Sequence, residues 1–442
     1  MKTIFKRTLE VDLLDWKNNS NHKPLILNGA RQVGKTYLMK WIGQTHFANV
    51  AYFNFDEKPE LKQFFETTKD VNIIIENLEL VNNGKIDSDT LIIFDEIQEC
   101  LPALNTLKYF YENKPELYVM GAGSLLGISL GKANSFPVGK VQFLTLYPLS
   151  FSEFINTANP KLGLYLNNIN TIETVPDIFF SLLKDEFKKY LIIGGLPAVA
   201  TTFLETKDFG KSDSTLKDLI RSYEFDFAKH PITKDVAKIS HVFNSIPSQL
   251  GRENKKFVYQ LVKPGARARE YEDAIRWLEQ AGLVYKIYLC KSPKLPLSAY
   301  DDLSAYKIYT FDVGVLRKLS QLDPIAYTEG NRLFVEFKGA LIENYILQSL
   351  VPQYEVMPRY WTSGNEAEID FLIQFNNEII PVEVKADENI RSASLTQYNN
   401  KFKPTIRIRY SMKNLSYQDG LLNIPHFMAD YSSKLMGLAS KL

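Results

Sequence analysis

The chain has 442 residues, more than one hydrophobic core ordinarily serves, so several domains are expected. Hydrophobic residues make up 45% and charged residues 23%, which excludes a disordered or fibrous chain. A formal net charge of +1 excludes a strong overall field for nucleic acid or acidic lipid, so any such binding must come from a local patch.

No apolar run approaches the ~18 residues a membrane span needs, and no membrane partner is expected. The first ten residues, Met1 to Glu10, carry charge but no apolar signal core. Cys100 and Cys290 lie far apart in apolar surroundings, which fits reduced, buried side chains rather than metal ligands or a disulfide framework. Together these features lead to a cytoplasmic expectation.

Residues 1 to 23 read as a lead-in helix. Arg7, Leu9, Leu13, Leu14 and Trp16 could pack against or cover the pocket formed by the residues that follow, but an ordinary amphipathic helix suffices for all except Arg7. The apolar run Leu25–Leu27 then predicts a short buried strand, and a helix is expected from Lys35 through Trp41. Between them stands G-x-x-x-x-G-K-T, the spacing of a phosphate-binding loop. Its glycines allow backbone N–H groups to turn inward, and the helix N-terminus adds partial positive charge. The ATP-binding residues expected are Gly29, Ala30, Arg31, Gln32, Val33, Gly34, Lys35, Thr36 and Tyr37. Lys35 would reach the β- and γ-phosphates, and Thr36 would hold Mg²⁺ through its hydroxyl.

Farther on, Leu91–Phe94 reads as an apolar strand running into Asp95 and Glu96. Asp95 is placed to anchor Mg²⁺ as a Walker B aspartate does, and Glu96 to orient or deprotonate water. Strands are also expected at Val50–Phe55, Leu117–Met120 and Val141–Leu146. Helices are expected at Glu60–Glu66, Val71–Val81 and Leu101–Glu112. This alternation predicts a parallel sheet with helices on both faces and its ligand at the carboxyl ends of the strands. Ser124, just after the fourth strand, is a candidate γ-phosphate sensor; a helix N-cap serine is the plainer alternative.

Four blocks carry a family resemblance: Gly29–Thr36, Phe94–Gln98, Leu146–Phe154 (LYPLSFSEF) and Gly194–Val199 (GGLPAV). The chain resembles a family of prokaryotic AAA+-type ATPases with a C-terminal region of poorly defined role, over nearly its whole length. The Pro-Leu-Ser-Phe and Gly-Gly-Leu-Pro blocks are more specific than the Walker motifs. Many relatives have Gly-Arg just before the first of them, where this chain has Gly139-Lys140. An arginine finger is therefore in doubt there, since lysine lacks the planar fork. Arg221 is another basic residue considered for a neighbouring nucleotide. The resemblance also suggests a homo-oligomer.

Residues 150 to 230 read as a helical lid, with Phe179–Ile193 and Ser214–Ala228 its clearest helices. Residues 231 to 322 read as a winged helix. It would have a helix over Val236–Ser245, a turn at Pro247–Leu250, a long helix over Arg267–Ala281, and wing strands at Leu283–Leu289 and Lys307–Phe311. Arg252, Lys255, Lys256, Lys263, Arg267 and Arg269 form a candidate DNA-phosphate patch; subunit packing with a solvated basic face is the alternative.

Residues 323 to 442 hold a second chemical pattern. Glu343 lies on a helix expected over Val335–Leu350. The strand Ile369–Ile373, a turn at Asn376-Asn377 and the strand Ile379–Val384 predict a hairpin. Asp370, Glu383 and Lys385 then spell an acid followed by E-x-K, with Glu383 and Lys385 on one strand face. With Gln397 and Tyr398 on the next helix, this resembles a PD-(D/E)xK nuclease core. The resemblance implies Mg²⁺ ligation by Asp370, Glu383 and Glu343, with Lys385 positioning water. A relic fold with a solvated charge cluster is the alternative.

The fold class expected is α/β. A P-loop, AAA+-like parallel sheet (residues 1–149) and a helical lid (150–230) precede a winged helix (231–322) and a small restriction-endonuclease-like α/β domain (323–442). Two functions follow. One is an ATP-hydrolysing machine coupled to DNA binding or metal-dependent cleavage. The other is a nucleotide-dependent binding switch, with an inactive nuclease-like domain acting on DNA or a protein partner.

Overall fold

The computed structural model describes residues 3–123, 139–228, 233–324, 332–364, 367–386 and 392–442. The chain divides into two compact bodies. The first comprises residues 6–147 with 280–283, and the second the remainder.

The first body opens with helix α1 (Glu10–Asn18), which buries Leu13 and Trp16. It then alternates β1 (Leu25–Asn28), α2 (Lys35–His46), β2 (Asn49–Asn54), α3 (Gln63–Glu66) and α4 (Val71–Asn82). β3 (Thr90–Asp95), α5 (Leu101–Asn113), β4 (Tyr118–Ala122) and β5 (Gln142–Thr145) complete it. The sheet order is β2-β3-β4-β1-β5, and every neighbouring pair is parallel. All six residues of β3 are buried, as an apolar run in the middle of a helix-covered sheet should be. β4 lies between β1 and β3, so the loop after β1 and the acids ending β3 open at the same edge. Phe94 makes ring contacts with Phe53, Phe55, Phe65 and Phe110, joining β2, β3, α3 and α5 in one core. Each such ring buried contributes about 1.5–3 kcal/mol.

The second body begins with helices α6 (Phe151–Ala158), α7 (Pro160–Asn167), α8 (Asp177–Ile193), α9 (Pro197–Thr206) and α10 (Phe209–Phe227). Ser150 and Glu153 form a reciprocal capping box at the start of α6. The two family-specific sequence blocks meet here. Leu149 N–H donates to the Gly195 carbonyl at 2.6 Å, and Tyr190 OH donates to the Leu149 carbonyl at 2.5 Å. A Cβ on Gly195 would lie 2.3 Å from the Leu149 carbonyl oxygen, which explains glycine there.

Helix α11 (Thr233–Leu250) runs through Pro247, so the separate turn expected at Pro247–Leu250 is its last turn instead. Ile246 and Leu250 are buried, and that packing carries the helix past the proline. Helix α12 (Ala268–Gln280) buries Tyr271, Ile275 and Leu278, the face expected from their spacing. β6 (Val284–Cys290) and β7 (Asp301–Thr310) pair antiparallel, as expected of wing strands. They are not a free wing, however. After α13 (Val313–Leu319) and α14 (Arg332–Leu350) comes β8 (Arg359–Thr362), and Leu289 of β6 pairs parallel with Tyr360 of β8. The sheet therefore continues across the boundary expected after residue 322.

β9 (Glu368–Phe375) and β10 (Glu378–Val384) form the expected hairpin, with Asn376 and Asn377 both at positive φ in its turn. α15 (Ala393–Phe402), β11 (Arg407–Ser411), β12 (Ser416–Gln418), β13 (Leu421–Pro425) and α16 (Ser432–Ala439) follow. Among the described residues this second sheet has eight strands, in the order β12-β13-β11-β10-β9-β8-β6-β7. No helix among the described residues is long and apolar enough to cross a membrane.

Candidate nucleotide site and a buried charge cluster

The loop between β1 and α2 has the backbone its glycines predict. Gly29 (φ +140°) and Gly34 (φ +99°) both have positive φ, and Gly34 caps α2. A Cβ on Gly29 would sit 2.2 Å from the Leu146 carbonyl oxygen, so only glycine fits. Gln32 also has positive φ, +68°, and Val33 is fully buried beneath the loop. Ala30 is buried, Arg31 half-buried, and Tyr37 faces solvent on the first turn of α2.

Lys35 is buried, and its ammonium donates to the Gly29 and Ala30 carbonyls at 2.8 Å each. Burial pushes its pKa down to about 8, opposed by the carboxylates of Glu96 and Asp95. Thr36 Oγ1 donates to Asp95 Oδ2 at 2.7 Å, so the loop and the end of β3 meet directly. Glu96 follows in the left-handed region (φ +49°), and its Oε2 accepts from Gln98 Nε2 at 2.5 Å.

Three further groups support this constellation, and sequence reading did not assign them these contacts. Tyr52 OH donates to Asp95 Oδ2 at 2.8 Å. Gln98 holds Glu96, as just described. Arg7 donates to the Val33 carbonyl at 2.9 Å and to the Tyr147 carbonyl at 2.6 Å, bracing the loop from behind. Arg7 thus packs against the loop rather than covering the pocket, because its contacts are to the Val33 and Tyr147 carbonyls. Tyr52 lies on a strand beside β3, two residues before its end, a position that topology but not a motif reveals.

Lys140 pairs with Glu112 at 3.2 Å and lies over the Tyr111 ring, which occupies its charge locally. Arg221 is exposed on α10. Ser124, the expected phosphate sensor, lies outside the described residues.

The arrangement fits a nucleotide with Mg²⁺. A hydroxyl and a carboxylate oxygen are adjacent, a buried ammonium stands on the loop, and backbone N–H groups start a helix. A family described as an AAA domain matches residues 21–155. Over these residues the chain resembles an AAA-type P-loop domain. Two families described as domains of unknown function match elsewhere, DUF8612 over residues 184–326 and DUF4143 over residues 338–427. No curated protein matches the chain.

Among solved structures, the chain is similar to the Walker-type ATPase PABY2304 of Pyrococcus abyssi. The identity is 14% and the TM-score 0.47, covering 72% of this chain and 96% of that one. It is also similar to the RuvB Holliday junction branch migration motor of Thermotoga maritima, at 14% identity and a TM-score of 0.29, covering 66% and 93%. The STAND protein PH0952 of Pyrococcus horikoshii matches at 13% identity and a TM-score of 0.26, covering 80% of this chain and 46% of that one. Likenesses at this level carry no argument about ligands or partners.

The AAA core accounts for the first pattern; the second lies in the other body. Glu343 on α14 is buried. Its Oε1 accepts from Tyr309 OH at 2.5 Å and lies 3.6 Å from Lys307 Nζ, while its Oε2 is bonded by Lys255 Nζ. Burial would raise the pKa of Glu343, but the Lys255 and Lys307 charges prevail and hold it low. Lys307 is fully buried and also pairs with Glu368 at 2.5 Å. Asp370 accepts from Val384 N–H at 2.7 Å. Burial and the nearby Glu343 charge raise its pKa. Glu383 pairs with Lys385 at 2.8 Å through Oε1, while its buried Oε2 has no hydrogen-bond partner.

Glu343 and Glu383 are buried and Asp370 is half-buried, but not as the expected Mg²⁺ ligand set. Among the described residues no group of three acids, histidines or cysteines has metal-holding geometry. Two ammonium groups stand against Glu343 instead. As arranged, these residues do not fit a Mg²⁺ ion. Gln397 and Tyr398 lie on α15, and the Tyr398 ring packs on Trp361 rather than on the acids.

Proposed function

We propose that the chain binds and hydrolyses ATP at the loop of its AAA core and uses the nucleotide state to switch binding by the rest of the chain. The meeting of Lys35, Thr36 and Asp95 carries this reading. Lys35 would leave the Gly29 and Ala30 carbonyls for the phosphates. Thr36 Oγ1 and Asp95 would hold Mg²⁺, which supplies charge neutralisation at the phosphates when bound. Glu96, aimed by Gln98, would orient the attacking water. Tyr52 would keep the Asp95 carboxylate turned toward Thr36.

The reading keeps the core (1–149) and the helical segment (150–230), the latter as the transmitter, and takes the expected winged helix (231–322) and nuclease-like domain (323–442) together as the binding part. Asp370, Glu383, Lys385 and Glu343 serve structure rather than cutting in this conformation, because lysines pair with Glu343 and Glu383 and Asp370 accepts from Val384 N–H. DNA is the partner proposed. Arg252, Lys256, Lys263, Arg267 and Arg269 are exposed on or near α12, whereas Lys255 is drawn inward.

The test is purified full-length protein assayed for phosphate release and for binding and cleavage of single-stranded, double-stranded and branched DNA. Mg²⁺ and Mn²⁺ are each supplied, with and without ATP. Turnover lost in Lys35→Ala, with salt-dependent DNA binding and no cutting, supports the reading. Normal turnover in Lys35→Ala sinks the nucleotide assignment. Cutting that is lost in Glu383→Ala restores the nuclease reading, and binding unaffected by Arg267→Ala with Arg269→Ala removes DNA from this surface.

A further inference from the structure

Asp95 is 3% exposed, and both oxygens of its carboxylate accept hydrogen bonds. Oδ1 accepts from the Glu96 N–H at 3.1 Å, while Oδ2 accepts from Thr36 and Tyr52. The Tyr52 hydroxyl is itself bracketed, because Asn54 Nδ2 donates to it at 3.3 Å. Tyr52 and Asn54 are two apart on β2 and share a face, beside the end of β3 where Asn54 pairs with Asp95. These bonds fix the tyrosine oxygen and leave the ring to be held by what packs on it.

A charge packs on that ring. Lys40 stands one helical turn after Thr36 on α2, at the spacing of four that puts both on one helix face. Its ammonium lies 3.6 Å from the centre of the Tyr52 ring. Every other lysine–ring contact among the described residues is longer, from 4.4 Å upward. Lys40 is half-buried, and its ammonium makes no ion pair or hydrogen bond among the described residues. An ammonium without a carboxylate is drawn to the electron-rich face of an aromatic ring, and the attraction resists turning of that ring.

We propose that Lys40 is a positioning residue of the nucleotide site: seated on the Tyr52 ring, it keeps the tyrosine hydroxyl on Asp95 Oδ2 and so holds the carboxylate that serves Mg²⁺. This role rests on the nucleotide reading proposed for the loop. Groups hydrogen-bonded to a metal-binding carboxylate typically set metal affinity by about 10–100-fold. Lys40 acts one step farther out, so its effect is smaller and vanishes when the hydroxyl it positions is gone.

The test is equilibrium binding of a fluorescent, non-hydrolysable ATP analogue to full-length protein, in EDTA and across a Mg²⁺ titration. Lys40→Met should raise the Mg²⁺ concentration for half-maximal binding about three- to tenfold and leave binding in EDTA within about twofold. Lys40→Arg, which keeps a cation for the ring, should restore most of the wild-type Mg²⁺ dependence. In a Tyr52→Phe background, Lys40→Met should add less than about twofold. A folded Lys40→Met protein with wild-type Mg²⁺ dependence overturns the proposal. The same loss in the Tyr52→Phe background also overturns it, because Lys40 would then act by its own charge. Equal losses in EDTA and in Mg²⁺ do so too, making Lys40 a prop of α2, as does wild-type binding that ignores Mg²⁺. If Lys40→Met does not fold, Lys40→Gln replaces it. Wild-type protein that binds the analogue in neither condition removes the nucleotide reading and this role with it, whereas Mg²⁺-dependent binding that Lys40 does not influence removes this role alone.

Discussion

The Thr36 hydroxyl donates to the Asp95 carboxylate at 2.7 Å, across 59 residues of sequence. Because Tyr52 OH donates to the same oxygen, Asp95 Oδ2 is held from two sides. Removing the tyrosine hydroxyl should free the carboxylate to rotate. Tyr52→Phe is expected to cost about 1 kcal/mol of stability in the first body and to weaken Mg²⁺-dependent ATP binding more than Mg²⁺-free binding. Urea unfolding and nucleotide titrations with and without Mg²⁺ check both parts. Equal losses in the two titrations would mean that Tyr52 acts on the loop as a whole.

Lys35 and Glu96 separate binding from turnover. Lys35→Ala should lose turnover by roughly 10²-fold or more, since it deletes the one buried ammonium on the loop. Glu96→Gln keeps a similar shape and should retain ATP while slowing hydrolysis by about 10²-fold. Radiolabelled ATP retention beside phosphate release distinguishes the two. Loss of binding in Glu96→Gln would make Glu96 a structural residue of the turn after β3.

The loop backbone gives a sharper steric prediction. Gly29→Ala places a Cβ 2.2 Å from the Leu146 carbonyl oxygen, a distance no real contact tolerates. β1 and β5 are paired through Leu27↔Leu144 and Asn28↔Thr145, so the clash cannot be relieved by moving one strand alone. ATP binding should be abolished, and the melting temperature of the variant should fall. Retention of wild-type affinity would show that the loop relaxes more easily than its contacts indicate.

The first body was legible because its signals are local. Leu25–Leu27 and Leu91–Phe94 are apolar runs short enough for buried strands, and each ends in a motif. The Asn376-Asn377 turn likewise announced the β9–β10 hairpin. The continuity of the second sheet was not legible, because it depends on Leu289 meeting Tyr360, a pairing between strands separated by β7 and, among the described residues, helices α13 and α14. Nor could spacing reveal that Lys255 and Lys307, 88 and 36 positions before Glu343 by chain number, would claim its carboxylate. An E-x-K pattern names the acids; only the fold says what neutralises them.

Asp312 supplies a pH prediction for the second body. It is fully buried, accepts from Gly195 N–H at 2.5 Å and from Val315 N–H at 3.0 Å, and burial raises its pKa from 3.8 to about 6. Between those values the native state keeps a proton that the unfolded chain has lost. This contribution to stability is therefore full at the acid end and declines as pH rises through about 6. Asp430, raised to about 6 by burial, has the same sign. Asp312→Asn should flatten the pH slope of the urea midpoint without abolishing it, at the cost of one hydrogen bond that an amide cannot accept. An unchanged slope would mean that Asp312 does not titrate in this range.

Lys307 is the residue on which the buried cluster rests. Its ammonium faces Glu343 at 3.6 Å and Glu368 at 2.5 Å with no exposure to solvent. Burial alone would strip its proton, but Glu343, Glu368 and Asp370 hold the proton more tightly than water does and raise its pKa. Lys307→Met removes the charge and keeps most of the length, leaving the buried Glu343 and the half-buried Glu368 each short of a partner. The loss should be about 3–5 kcal/mol, the range for breaking a buried pair from one side. Adding Glu368→Gln removes one of the stranded charges and should recover part of it, because Glu343 retains Lys255 and Tyr309. Denaturant unfolding of the wild type, both single variants and the double variant closes the cycle. Additive losses would show that Lys307 and Glu368 do not depend on each other, and the cluster would then have to be held by Lys255 instead.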